Sequence, residues 1–251
     1  MRVYGTLGNP DFVAAWLCAT LPLYAGVRRR KYALMGLALQ LAAIFATGSR
    51  VFVLTLPVAA VLLALRSAHL KRWWFVGLPV AAALLLVSPA RPLSVTLQGR
   101  LYLASVTAGH WRQIPLLGFG PGSFETRSAT WQGEEGDPRF AGPLDHAHND
   151  YLELWVEYGP LGLCAFLALC GWLMARAWCV RSGAAGAWAG VASLLAIACV
   201  DFPFHRPAEW GLYWLLLGII GKGDTEDVHL DQTNDVDGSP GAGGSRPHPR
   251  G

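Results

Sequence analysis

The apolar residues of this chain come in long blocks and not in alternation, and this patterning limits the fold more than any other feature. The blocks are Val13–Val27, Tyr32–Thr47, Val51–Leu65, Trp73–Ala90, Tyr151–Ala175, Ala184–Val200 and Trp210–Ile220, and the only charged residues inside them are Glu153 and Glu157. A helix needs about 20 mainly apolar residues to cross a bilayer, with a range of roughly 17–25. The blocks therefore read as about seven spans, several of them short by that measure. A soluble helical bundle would need polar faces on its helices. Only 15% of the residues are charged, against about a quarter in ordinary soluble domains. The expectation is an all-α, polytopic membrane protein.

Lysine and arginine set the expected orientation. One set of connections holds Arg28, Arg29, Arg30, Lys31, Arg66, Lys71, Arg72, Arg176, Arg181 and Lys222, whereas the opposite short segments hold Arg2, Arg50 and Arg206. The positive-inside rule places the first set in the cytoplasm, and a long loop contributes little to that bias. The loop 91–150 then faces outward and is expected to contain short helices, within a membrane domain 1–221. Residues 222–251 are rich in Gly, Pro and Asp, the composition of a disordered cytoplasmic tail. Asp11 interrupts the first apolar run, which argues against a signal peptide. A seven-span chain that begins outside reads as the later part of something longer. Cys18, Cys164, Cys170, Cys179 and Cys199 all lie in or beside apolar blocks, so the outer loop has no disulfide framework.

Polar groups gather at a few points. Arg50, in "TGSR", stands at the outer end of a span with no acid nearby in sequence. It is either an interfacial anchor that snorkels to water or a cation awaiting an anion, for which the guanidinium fork suits phosphate. Arg100 makes a similar case in "QGRLYLASVTAGHWRQIPLLGFGPGSF". The Gly-rich end of that stretch is an ordinary turn or a set of backbone N–H groups offered to an anion; it lacks the lysine of a phosphate-binding loop.

The densest cluster is "DHAHNDYLELWVEYGPLG", residues 145–162. His146 and His148 share a face only in an extended segment. With His110 and His205 they would make a metal site, if distant loops converged. Otherwise they are solvated loop residues, or a His–Asn–Asp group reaching a substrate at the membrane surface. A neutral imidazole there can take a proton from a hydroxyl. Glu153 and Glu157 share one face of the following helix, where they orient a sugar or stabilise the helix start. They do not form a glycosidase pair, which places carboxylates on both sides of the bond.

Taken in order, "GTLGNPDFVAAWL", "TGSR", "GR…W…PLLGFGPGSF", "HAHNDYLELWVEYGPLG" and "DFPFHRPAEWGLYWLLLGI" resemble the O-antigen ligase and polymerase superfamily of bacterial membrane glycosyltransferases over about residues 5–220. The resemblance implies a multi-pass protein of the bacterial inner membrane with its active face in the periplasm. Its donor would be a glycan on undecaprenyl diphosphate, and its acceptor a glycan, lipid A–core or another hydroxyl. It implies inversion at the anomeric carbon, no metal, no cofactor and no nucleic-acid partner. The family's arginine between spans matches Arg50, and its loop arginine best matches Arg100, with Arg112 a rival. The histidine before asparagine matches His148, the expected base. His146, Asn149 and Glu157 are expected to contact substrate or hold the local turn. Family members usually have ten or more spans, so the seven expected here would correspond to the later part of the family's pattern. A non-catalytic binder or transporter of lipid-linked glycans would keep the arginines without needing a histidine. A metal-dependent membrane hydrolase built on His146 and His148 is the third reading.

Overall fold

The computed structural model describes residues 5–50, 52–66, 93–135, 145–179 and 184–221. These are helical, with no strand among them. The helices are α1 (Pro10–Thr20), α2 (Arg30–Thr47), α3 (Phe52–Arg66), α4 (Leu93–Gly109), α5 (Phe124–Glu135), α6 (Asp150–Cys179), α7 (Ala185–Ile197) and α8 (207–221). The block Trp73–Ala90 and the tail 222–251 lie outside the described residues.

Local chemistry explains several boundaries. Asn9 Oδ1 accepts a hydrogen bond from Asp11 N at 2.9 Å, and Pro10 occupies the first helical turn of α1. An asparagine cap followed by proline starts a helix well, because the missing N–H of proline would have had no helical partner. At the other end of α2, Gly48 adopts φ 63°, a left-handed conformation that glycine takes at helix ends without strain.

Helix α7 is the centre of the bundle. It is apolar all round and almost wholly buried, as a helix with no polar face should be. It packs on α1, α3 and the turn Leu21–Gly26. Gly186 and Gly190 make that possible, because a Cβ at Gly186 would meet the backbone of Pro22, and one at Gly190 would meet the carbonyl of Ala19. Small residues at such contacts let helix backbones approach closely. Trp188, Leu194, Ile197, Leu212, Tyr213 and Leu216 complete this core.

Six of the seven apolar blocks fall on described residues and are helical, but their lengths differ. Helix α7 has 13 residues, about 20 Å at 1.5 Å per residue, against a hydrocarbon core of about 30 Å. Among the described residues one helix, Asp150–Arg176, is long and apolar enough to cross a membrane. Leu161, Leu167, Leu169 and Trp172 are exposed along it, as are Leu34, Met35 and Leu39 on α2 and Trp214, Leu215 and Ile219 on α8. Water would penalise so much uncovered apolar surface; lipid would not.

The segment 93–135 folds back on α6. Val106, Ile114, Phe124, Trp131, Ala147 and Val156 form a second core joining α4, α5 and the start of α6. The junction is a kink. Gly159 has φ 69° and ψ −179°, a region open essentially to glycine alone. Pro160 has no N–H to offer the carbonyl four residues back. That carbonyl, of Val156, accepts instead from Phe119 N at 3.0 Å, while Glu157 O accepts from Gly120 N at 2.9 Å and Leu161 N donates to Leu116 O at 3.3 Å. The Gly-rich segment thus supplies the hydrogen bonds that the kink removes. Its Phe119 and Gly120 N–H groups are taken by α6, so the turn reading describes it, and these donors are not directed at an anion. A Cβ at Gly118 would strike the Glu157 carbonyl, and one at Gly159 would strike the Leu116 carbonyl.

Gly159→Ala should therefore destabilise the protein by at least the roughly 1–3 kcal/mol of backbone strain, visible as a lower melting temperature of the detergent-solubilised protein. Gly133→Ala, inside α5 where a Cβ meets open space, should hold or raise the melting temperature, because alanine is favoured over glycine in a helix by about 1 kcal/mol. Equal melting of the two variants would remove the kink from this account.

Candidate functional site

The site is built where residues 145–153 meet residues 198–206. Asn149 caps α6, its Oδ1 accepting from Tyr151 N at 3.0 Å and Leu152 N at 3.1 Å. Its amide Nδ2 donates to Cys199 O at 3.0 Å, and Asp150 N donates to Ala198 O at 2.9 Å. Asn149 is thus a structural clamp between the two segments. Immediately before it, His148 has φ 49°, the one positive φ at a non-glycine position among the described residues. A non-glycine residue in that region persists where its surroundings over-determine it, and the clamp does so.

Four carboxylates are buried here: Asp150, Glu153, Asp201 and Glu209. Each has a cationic or imidazole partner, as burial of charge demands. His146 Nδ1 lies 2.8 Å from Glu153 Oε1, and Glu153 Oε2 accepts from Ala147 N at 3.1 Å. His205 Nδ1 lies 2.7 Å from Asp150 Oδ1, whose other oxygen accepts from Phe204 N at 3.0 Å. His205 Nε2 is 3.4 Å from Glu153 Oε1. The hydrogen bond to Asp150 lifts the His205 pKa above its ordinary value; burial opposes this, and the charges of Glu153, Asp150 and Glu157 reinforce it.

The second half of the site centres on Asp201. His148 Nδ1 lies 3.5 Å from Asp201 Oδ1, and Arg206 Nη1 donates to Asp201 Oδ2 at 3.1 Å. Burial alone would push the Asp201 carboxyl up. The His148 hydrogen bond, together with the charges of Arg206, His148 and Arg100, outweighs it and holds Asp201 below its ordinary value. Asp201 therefore stays ionised at neutral pH. Arg206 Nε also reaches Glu209 Oε1 at 3.1 Å, an ion pair whose angle falls short of a hydrogen bond. The guanidinium sits over Phe12, 4.0 Å from the ring centroid, and beside Phe202 at 5.2 Å. Phe202 also stacks on His146 at 4.2 Å and meets His148 at 5.2 Å, which ties the two halves together.

The remaining sequence candidates divide. Arg100 is half-buried and close enough for its charge to act on Asp201. Arg112 is exposed and lies over Trp111, 5.2 Å from the ring centroid. Arg50 follows the Gly48 turn, and its Nε is buried without a hydrogen-bond partner among the described residues. Glu157 is buried, with Oε1 accepting from Phe124 N at 3.4 Å. It steadies the start of α5.

Sequence reasoning placed Asp150 only within a His–Asn–Asp group, named His205 only as a metal candidate, and assigned no site role to Asp201 or Arg206. "DFPFHRPAEW", a charged island between apolar blocks, was the available signal. Among the described residues, His146, Glu153 and His205 are a group with the spacing to hold a metal ion.

The sequence model of the protein family described as "O-Antigen ligase" matches residues 35–167. No curated protein and no solved structure matches the chain significantly.

Proposed function

The chain belongs to the O-antigen ligase family, and from that premise we propose that it is an inverting, metal-independent glycosyltransferase of the bacterial inner membrane. The donor is a glycan on undecaprenyl diphosphate, and the acceptor is a hydroxyl of a glycan, of lipid A–core or of another molecule, on the periplasmic side. The observation that carries the reading is the His148–Asp201–Arg206 line. An ionised Asp201 favours the His148 tautomer with its proton on Nδ1, which leaves the lone pair on Nε2. The 3.5 Å separation is long, as such contacts often are before substrate binds.

In the reaction, Nε2 of His148 takes the proton of the acceptor hydroxyl. The hydroxyl oxygen bonds to the anomeric carbon from the face opposite the diphosphate, and the bond from that carbon to the diphosphate oxygen breaks. The diphosphate departs as an anion and needs no acid to protonate it. Arg50 and Arg100 stabilise its charge, the role of fixed cations in a site shielded from water. Asp201 and Arg206 are positioning residues that act through His148.

The test is transfer in proteoliposomes holding the donor lipid and a hydroxyl acceptor. The product should have inverted anomeric configuration, and a chelator should leave the rate unchanged. Asp201→Asn should lower kcat by at least tenfold with the donor KM nearly constant. A rise in donor KM matching the loss of kcat/KM, at unchanged kcat, would assign Asp201 to donor binding and not to orienting the base.

A further inference from the structure

We propose that His146, Glu153 and His205 form a binding site for a divalent transition-metal cation of the zinc class, adjacent to the transfer residues and separate from them. One ligand atom from each of the three residues lies within 4.8 Å of the others. The distances point to His146 Nδ1, Glu153 Oε1 and His205 Nε2, with separations from the carboxylate oxygen of 2.8 Å and 3.4 Å. Zinc bonds of about 2.0–2.1 Å in a tetrahedron set its ligand atoms roughly 3.3 Å apart. Small side-chain rotations bring these three to that spacing.

The surroundings are prepared in the way metal sites require. A ligating histidine commonly gives its second ring nitrogen to a carboxylate, which sets the tautomer and the ring orientation. His205 does so: Nδ1 is 2.7 Å from Asp150 Oδ1, which leaves Nε2 for a cation. Glu153 is held through its second oxygen by Ala147 N at 3.1 Å. The His146 ring is fixed by stacking on Phe202 at 4.2 Å. The carboxylate is buried, while the side chains of His146 and His205 are 32% and 29% exposed, so a cation has a path in. Two imidazoles and one carboxylate suit zinc, cobalt or nickel; magnesium and calcium prefer all-oxygen sets. Three protein ligands leave a fourth position open.

Without the cation, protons shared between the imidazoles and Glu153 hold the same three side chains together. Transfer can therefore proceed with or without the ion. His148 is not a ligand, so the site does not depend on the transfer reading.

The experiment uses the full chain in detergent, stripped with a chelator and dialysed. Titration with zinc chloride, followed calorimetrically, should show one saturable equivalent. Cobalt chloride in its place should give the visible absorption of a tetrahedral cobalt centre. His205→Gln and His146→Gln should each weaken zinc binding by at least tenfold, and Asp150→Asn by about 10–100-fold as an outer-sphere partner. His148→Gln should bind zinc as the wild type does. His146→Gln decides the matter if His205→Gln fails to fold, since His146 pairs with Glu153 at the exposed edge. Absence of saturable zinc binding in the wild type would overturn the site, and so would a loss in His148→Gln as large as in His146→Gln.

Discussion

His148→Ala should lower the transfer rate by about 10²–10⁴-fold, the contribution of a positioned general base, while the donor lipid stays bound. In the proposed mechanism the base serves the acceptor hydroxyl and is not required by the diphosphate. Alanine also removes a side chain at φ 49°, so strain and chemistry must be separated. His148→Asn does this, because asparagine tolerates the left-handed region but has no basic nitrogen. Both variants should lose the rate to a similar extent and keep their melting temperature. His146→Ala should cost less, since its Nδ1 is paired with Glu153 at 2.8 Å. Turnover by His148→Asn at the wild-type level, measured with the same donor and acceptor, would remove the base.

Much of this was legible in the sequence, and the limits have physical causes. The apolar blocks mark the helices because a segment surrounded by lipid or by other helices must satisfy its own backbone. They do not distinguish a helix facing lipid from one wrapped in protein. Ala184–Val200 is among the most apolar blocks, yet its helix is the buried centre of the bundle. Its Gly186 and Gly190 were the only hint, and their meaning depends on Pro22 and Ala19, more than 160 residues away in sequence. The site divides in the same way. The cluster His146, His148 and Asn149 is local and visible in the sequence. Its partners Asp201, His205 and Arg206 come from about 50 residues downstream, where no periodicity announces a pairing. Glu157 illustrates the opposite case. A carboxylate near a helix start suggested a sugar contact or support of its own helix, whereas the structure shows one of its oxygens accepting from a buried backbone N–H of another helix, that of Phe124.

Arg50→Ala and Arg100→Ala should each weaken donor-lipid binding by at least tenfold. A charge-assisted hydrogen bond contributes about 1.5–3 kcal/mol, and each 1.4 kcal/mol is a factor of ten in affinity. The buried Arg50 Nε without a hydrogen-bond partner among the described residues is the stronger sign, since an unmatched buried donor costs stability until a ligand supplies the acceptor. Arg50→Lys should restore binding only in part, because an ammonium cannot reproduce the two parallel bonds of a guanidinium to phosphate oxygens. Arg100 differs from Arg50 in acting also on Asp201, so Arg100→Ala should lower kcat as well as affinity, whereas Arg50→Ala should act more through binding. Arg112 provides the contrast: it is exposed, against Trp111, and Arg112→Ala should leave affinity within about twofold, the range of an exposed charge removed from a surface. Binding to protein in nanodiscs with a labelled donor lipid separates these outcomes. If Arg112→Ala weakens binding as much as Arg50→Ala, the outer surface attracts the diphosphate by net charge alone, and the two arginines hold no specific place in the site.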